Sequence, residues 1–220
     1  MSYFGLVIVT LLLGVGSQAI INSTYKKWKK VPISNGMTGL AAARHMLDSN
    51  GLQNVPINCI SGELTDYYDP RSNSLNLSKD VYYGTSVASV AIACHEAGHA
   101  VQHANHYVPV LVRSAIVPVA NLASNLWMII FIIGIVLSSM GLVTVAIIMY
   151  ACVLAFQLVT LPVEFNASRR AIQNIDEIVA LPSNQAGGAR SVLTAAAFTY
   201  VAAALASLLQ LIYLLGSTRD

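Results

Sequence analysis

Four long apolar stretches divide the chain, at residues 3–21, 117–137, 142–161 and 191–215. Each is close to the roughly 20 residues a helix needs to cross a bilayer, so the pattern predicts four membrane-spanning helices. Ser138, Ser139 and Gly141 supply a tight turn between the second and third. Alanines at 195–197, 202–204 and 206 in the fourth suit close helix packing. Between the first and second stretches the pattern becomes mixed. Residues 37–47 predict a helix, with Ser34 and Thr38 as candidate caps and Gly51 beyond its end. Residues 55–60 predict a short strand, and 64–68 and 74–78 a hairpin around the turn at 69–73. The alternation of Ser74, Leu75, Asn76, Leu77 and Ser78 is that of a half-buried strand. A long helix is predicted from about 85 to 104. A piece this small has little core of its own and is expected to pack on its helical neighbours.

Composition agrees with the pattern. The 220 residues are 55% hydrophobic and 10% charged, with a mean hydropathy of +0.63. A soluble domain is about 25% charged, so this is a membrane composition. The net charge is only +2 and no basic stripe is present, which excludes a nucleic-acid partner. Cys59, Cys94 and Cys152 are odd in number, lack C-x-x-C spacing and imply no disulfide framework. Charge placement predicts orientation. Lys26, Lys27, Lys29 and Lys30 follow the first span directly, and Arg44, Arg71, Lys79 and Arg113 lie in the same long segment. Arg169, Arg170 and Arg190 lie between spans three and four, leaving only Arg219 on the other side. The positive-inside rule then puts the long segment in the cytoplasm and both termini outside. Ser17, Gln18 and Ala19 resemble a cleavage site, but Met1 to Phe4 carry no basic n-region, so the first stretch is expected to be an anchor.

His95-Glu96-Ala97-Gly98-His99 carries the chemistry. Histidines at i and i+4 lie on one helical face and can reach one ion. A structural zinc site has no use for the glutamate between them, whereas hydrolysis needs a base to take a proton from water. A third protein ligand is expected. His103 lies about 12 Å along an unbroken helix from His95, too far to share the ion, and is expected to be a supporting or packed polar residue. His106 could reach only if the helix broke after His99, and His45 reads as an ordinary surface or core histidine. The extended H-E-x-x-H-x-x-G-x-x-H pattern fails, because Gln102 and Asn105 stand at its glycine and last histidine. Asp48, Glu63, Asp66, Asp69 and Asp80 sit in turns or on the hairpin. Glu164 differs: it stands among apolar residues directly after span three, where an uncompensated carboxylate is costly. Pro162 is expected to kink that span or start a new helix. Asp176 and Glu177 are the alternatives to Glu164.

HEAGHAVQHA before a helical pair, with LPVEFNASRRA directly after it, resembles the bacterial YugP-like membrane zinc metallopeptidases over essentially the whole chain. More distantly it resembles the HtpX-type membrane peptidases, which have a glutamate ligand in an E-x-x-x-D segment. The resemblance implies one catalytic Zn²⁺ held by His95, His99 and Glu164, with Glu96 as general base. Ser168 stands where the distant relatives have aspartate, and a serine would make only a weaker hydrogen bond to a ligand histidine.

The expected fold is a multi-pass α-helical membrane protein of about four transmembrane helices with a small α+β zincin-like metallopeptidase domain. The expected divisions are an anchor at 1–22, the metallopeptidase domain at 23–113, a transmembrane hairpin at 114–162, a cytoplasmic segment with the third ligand at 163–190 and a last span at 191–216. The expected activity is gluzincin-like endopeptidase action on proteins or peptides, plausible substrates including damaged membrane proteins, at the cytoplasmic face of a bacterial plasma membrane. Tyr82, Tyr83, His103 and Arg169 are candidates for stabilising the oxyanion, and a strand edge near the motif is a candidate for binding extended substrate. The alternatives are an intramembrane site-2-like protease, which would call for an aspartate ligand deep in a later span, and an inactive zinc-binding membrane scaffold, against which the intact Glu96 argues.

Overall fold

The computed structural model describes residues 3–179 and 181–217; Arg219 lies outside them. Four helices are long and apolar enough to cross a membrane: α1 (Tyr3–Trp28), α5 (Val108–Val136), α6 (Met140–Asn174) and α7 (Ser183–Ser217). All four run beyond the apolar stretches that predict them. Hydropathy marks the part of a helix that suits lipid, whereas backbone hydrogen bonding continues into the polar flanks, as α1 does through Lys26 and Lys27. Pro162 starts no new helix, since α6 is continuous through it. A proline removes the one bond its N–H would make, and the flanking turns carry the helix on.

The chain forms two compact units. One comprises Met1–Gln18, Val108–Pro162 and Thr199–Asp220. Its helices leave large apolar side chains exposed, among them Leu12, Leu122, Ile132 and Ile148, as a lipid-facing surface requires. Inside it, Trp127 and Tyr150 meet edge to face with ring centroids 4.6 Å apart, beside Val143, Ile147 and Leu214.

The other unit comprises Ala19–Tyr107 and Val163–Phe198. It contains α2 (Gly39–Ser49), β1 (Ile57–Ile60), β2 (Tyr67–Asp69), β3 (Ser74–Ser78), α3 (Lys79–Tyr82) and α4 (Val87–Ala104). The Thr38 hydroxyl caps α2 by accepting from Ala41 N–H, and Ser86 does the same for α4 by accepting from Ser89 N–H. The sheet order is β1-β3-β2, with β1 parallel and β2 antiparallel to β3. The hairpin turn forms because the Asp69 carboxylate accepts from Arg71 N–H at 2.9 Å and from the Ser72 hydroxyl at 2.7 Å, while Asn73 takes φ 49°.

The half-buried pattern expected for β3 does not hold: all five of its residues are buried. A strand with a partner on each side is covered on its edges, and the polar positions are bonded to match. Asn76 accepts from Asn58 at 3.0 Å, and Asp66 accepts from Ser78 N–H at 2.7 Å. Leu75, Leu77, Leu47, Val87, Val90 and Ile175 are fully or almost fully buried in one core, which fixes α4 by its apolar face. At about 25 cal/mol per Å² of apolar surface, this burial is the main force holding α4 in place.

Candidate metal centre

The helix α4 is unbroken through the motif. The rings of His95 and His99 therefore stack one turn apart, edge to face, with centroids 4.8 Å apart. Glu164, in the last part of α6, meets both. Its Oε2 lies 3.3 Å from His95 Nε2 and 3.6 Å from His99 Nε2. One donor atom from each residue falls within 4.8 Å of the other two, so the group could hold a metal ion. The Glu164 side chain is 4% exposed, against 12% for His95 and 16% for His99. A carboxylate that deep demands compensating charge, and two imidazoles with one carboxylate form a donor set that suits zinc.

Close approach of the two helices depends on Gly98. A Cβ there would lie 2.9 Å from Ala167 O and 3.2 Å from Ala167 Cα. Ala167, three residues past Glu164, is fully buried at this crossing. Glycine costs helix stability, and here its lack of a side chain admits a backbone. The motif spacing leaves this position unspecified, and a glycine inside an amphipathic helix is the signal that could have marked it.

Both imidazoles are also held on their outer nitrogens. Ser168 Oγ lies 3.2 Å from His95 Nδ1, so the serine does engage a ring. Gln102 Oε1 lies 3.0 Å from His99 Nδ1. Gln102, which breaks the extended motif, is fully buried beside the site. The signal for it in the sequence is an amide three residues after a ligand-type histidine on the same helix.

Glu96 is half-buried, and no hydrogen bond engages its carboxylate among the described residues. Burial pushes its pKa up, against the pull of His99 and His95. Cys94, next to His95, is fully buried and accepts from Asn174 Nδ2 at 3.4 Å. Burial holds its thiol at about 12, so it is an inert packing residue.

The remaining candidates are placed elsewhere. His103 Nδ1 meets Tyr68 Oη at 3.1 Å, and His106 is exposed past the end of α4. His45 is exposed on α2. Asp48 pairs with Arg44, Glu63 and Asp80 with Lys29, and Asp176 with Arg190. Glu177 is exposed and lines a cleft with Arg170 and Asn174. Arg169 is exposed, and Tyr83 lines a cleft with Lys29, Lys30 and Lys79.

The family described as "Putative neutral zinc metallopeptidase" matches residues 3–219. The chain belongs to this family. A relative from Bacillus subtilis (strain 168), "Putative membrane protease YugP", is 44% identical over 212 residues, which is 96% of this chain and 94% of the relative. The YugP-like resemblance read from the two motif segments therefore stands. No solved structure matches. Within the family's matched span lie both ligand-type histidines, Glu96 and Glu164.

Proposed function

We propose that this chain is a membrane-embedded zinc endopeptidase in which His95, His99 and Glu164 hold one Zn²⁺ and Glu96 is the general base. The observation that carries the reading is the convergence of three donor atoms from α4 and α6, with Glu96 between the two histidines on α4. Bound zinc would supply Lewis acidity, polarising a substrate carbonyl and making water acidic enough to yield a proton near neutral pH. Glu96 takes that proton and later delivers it to the departing amine. A ligand set of two histidines and one glutamate is of the gluzincin kind.

Substrates are proteins or peptides, including misassembled membrane proteins. Support for an extended substrate comes from β2, which pairs with β3 on one edge only among the described residues. Tyr68 on β2 is bonded to His103, one turn past His99 on α4. A peptide could add to the outer edge of β2 through main-chain hydrogen bonds. The site faces the cytoplasm of a bacterial cell, with both termini outside. Eleven of the twelve basic residues fall on the side of the chain that contains the motif, which supports this orientation. The helix α4 is not among the four spans, which supports action at the membrane face over action within the bilayer. The test is to purify the chain, count its zinc and assay cleavage of a loosely folded membrane protein beside Glu96→Gln. The reading expects one zinc per chain in both and cleavage in the wild type alone. Equal cleavage by the two would sink it. Labelling of a cysteine placed at Lys30 from outside the cell would reverse the orientation.

A further inference from the structure

Gln102 is fully buried on α4, as are its neighbours Val101 and Ala97. A primary amide in such a place is costly unless every polar atom is bonded. Here each is, and the partners leave no freedom in which way the amide faces. Val163 O, which can only accept, lies 2.7 Å from Nε2. Asn166 Oδ1 accepts the second Nε2 proton at 3.0 Å. That the Asn166 atom is the oxygen is itself fixed, because Arg170 Nε, which can only donate, meets it at 2.9 Å. Two independent anchors, a backbone carbonyl and a guanidinium, therefore turn Gln102 Oε1 towards His99 Nδ1. An amide oxygen cannot donate, so Nδ1 must carry a proton. In the neutral ring, the lone pair is then on Nε2, the atom 3.6 Å from Glu164 Oε2. Two electron-rich atoms facing each other at that distance call for positive charge between them.

We propose that Gln102 is a positioning residue of the metal site, fixing His99 in the tautomer that presents Nε2 to the ion. The inference rests on His99 being a ligand. His95 has no equivalent device: a hydroxyl such as Ser168 rotates and can serve either tautomer. The same amide also ties α4 to the carbonyl of the residue preceding Glu164, so it keeps both ligands in register.

Zinc affinity, measured by competition with a chromophoric chelator, tests this on the wild type, Gln102→Leu and Gln102→Glu, alongside thermal unfolding of the zinc-free proteins. Leucine keeps the volume and removes the acceptor; glutamate keeps an acceptor for Nδ1–H and removes the amide donors. Gln102→Leu is expected to bind zinc about 10- to 100-fold more weakly. Gln102→Glu keeps the acceptor for Nδ1–H but loses the tie to Val163 O, and is expected to lose less than the leucine variant. Wild-type affinity in the leucine variant, or equal losses in both variants, would overturn the positioning role. A wild type that binds no zinc would instead overturn the ligand assignment on which it rests. If neither variant folds, nitrogen-15 labelling of the histidines in the zinc-loaded wild type decides. A His99 Nδ1–H resonance slow to exchange with water is expected, and an unprotonated Nδ1 refutes the proposal.

Discussion

Two short helical segments build the site, and they contribute unequally. Residues 95–102 of α4 supply two imidazoles, the glutamate proposed as the base and an amide that meets one imidazole. Residues 164–168 of α6 supply one carboxylate, one hydroxyl and a backbone against which Gly98 packs. The α4 segment is nearly self-sufficient, because His99 takes its outer partner from its own helix, three residues on. The α6 segment has no metal-site logic by itself: it becomes intelligible only as what His95 and His99 lack. Ligands on one regular helix are thus spaced by helix geometry alone, whereas a ligand from a second helix depends on how close the two backbones can come.

The sharpest break in this asymmetry is at Glu96. Replacing it with glutamine should lower kcat/KM by about 10²- to 10⁴-fold while zinc content stays at the wild-type level, as cleavage assays and metal analysis would show. Loss of zinc in this variant would mean that α4 contributes a fourth ligand. Glu164→Ala, made in the other segment, should do the opposite. Zinc affinity should fall by more than the roughly 10- to 100-fold typical of removing a ligand's outer partner, and activity should follow. Unchanged zinc affinity in Glu164→Ala would leave α4 holding the ion without α6.

The pH profile probes the base itself. Glu96 accepts a proton only when ionised, and burial raises its pKa above the ordinary glutamate value of roughly 4.3. In the zinc-free chain its carboxyl should therefore titrate above that value, as carbon-13 labelling would show; titration at or below it would show that Glu96 is not shifted. A zinc ion beside it favours the ionised form, so the acid limb of kcat/KM should lie below the zinc-free titration, with activity lost as pH falls through it.

Gly98→Ala tests the crossing. The added methyl meets Ala167 backbone, which cannot rotate away. Overpacking of this kind costs about 1–3 kcal/mol, so Tm should fall and zinc affinity with it. A neutral substitution would show that the helices are farther apart. The smallest effect is expected at Ser168→Ala, which removes the partner of His95 Nδ1. Zinc affinity should fall about tenfold, and Ser168→Asp should recover it by accepting a stronger, charge-assisted bond from Nδ1–H. Equal affinity in all three would leave His95 held by packing alone.

The same asymmetry separates what the sequence reveals from what it conceals. The four spans are legible because lipid imposes one composition over some 20 residues. His95, Glu96 and His99 are legible because a single helix fixes their relative positions in five residues. Glu164 is legible more indirectly, as a carboxylate in an apolar setting that calls for a partner, and among the described residues it is the acidic candidate that the fold brings to the two histidines. Gly98 and Gln102 are not legible, although both are within eight residues of His95. Their roles depend on Ala167, Val163 and Asn166, which reach them from another helix. The full burial of β3 escaped for the same reason, since alternation reports one face of a strand and says nothing of the neighbour on each edge.

Anomalous diffraction at the zinc edge from crystals of the purified chain would show whether one zinc ion is held jointly by α4 and α6. A single strong peak is predicted among His95 Nε2, His99 Nε2 and Glu164 Oε2. A peak centred on any other residues, or bound by the two histidines with Glu164 turned away, would contradict it.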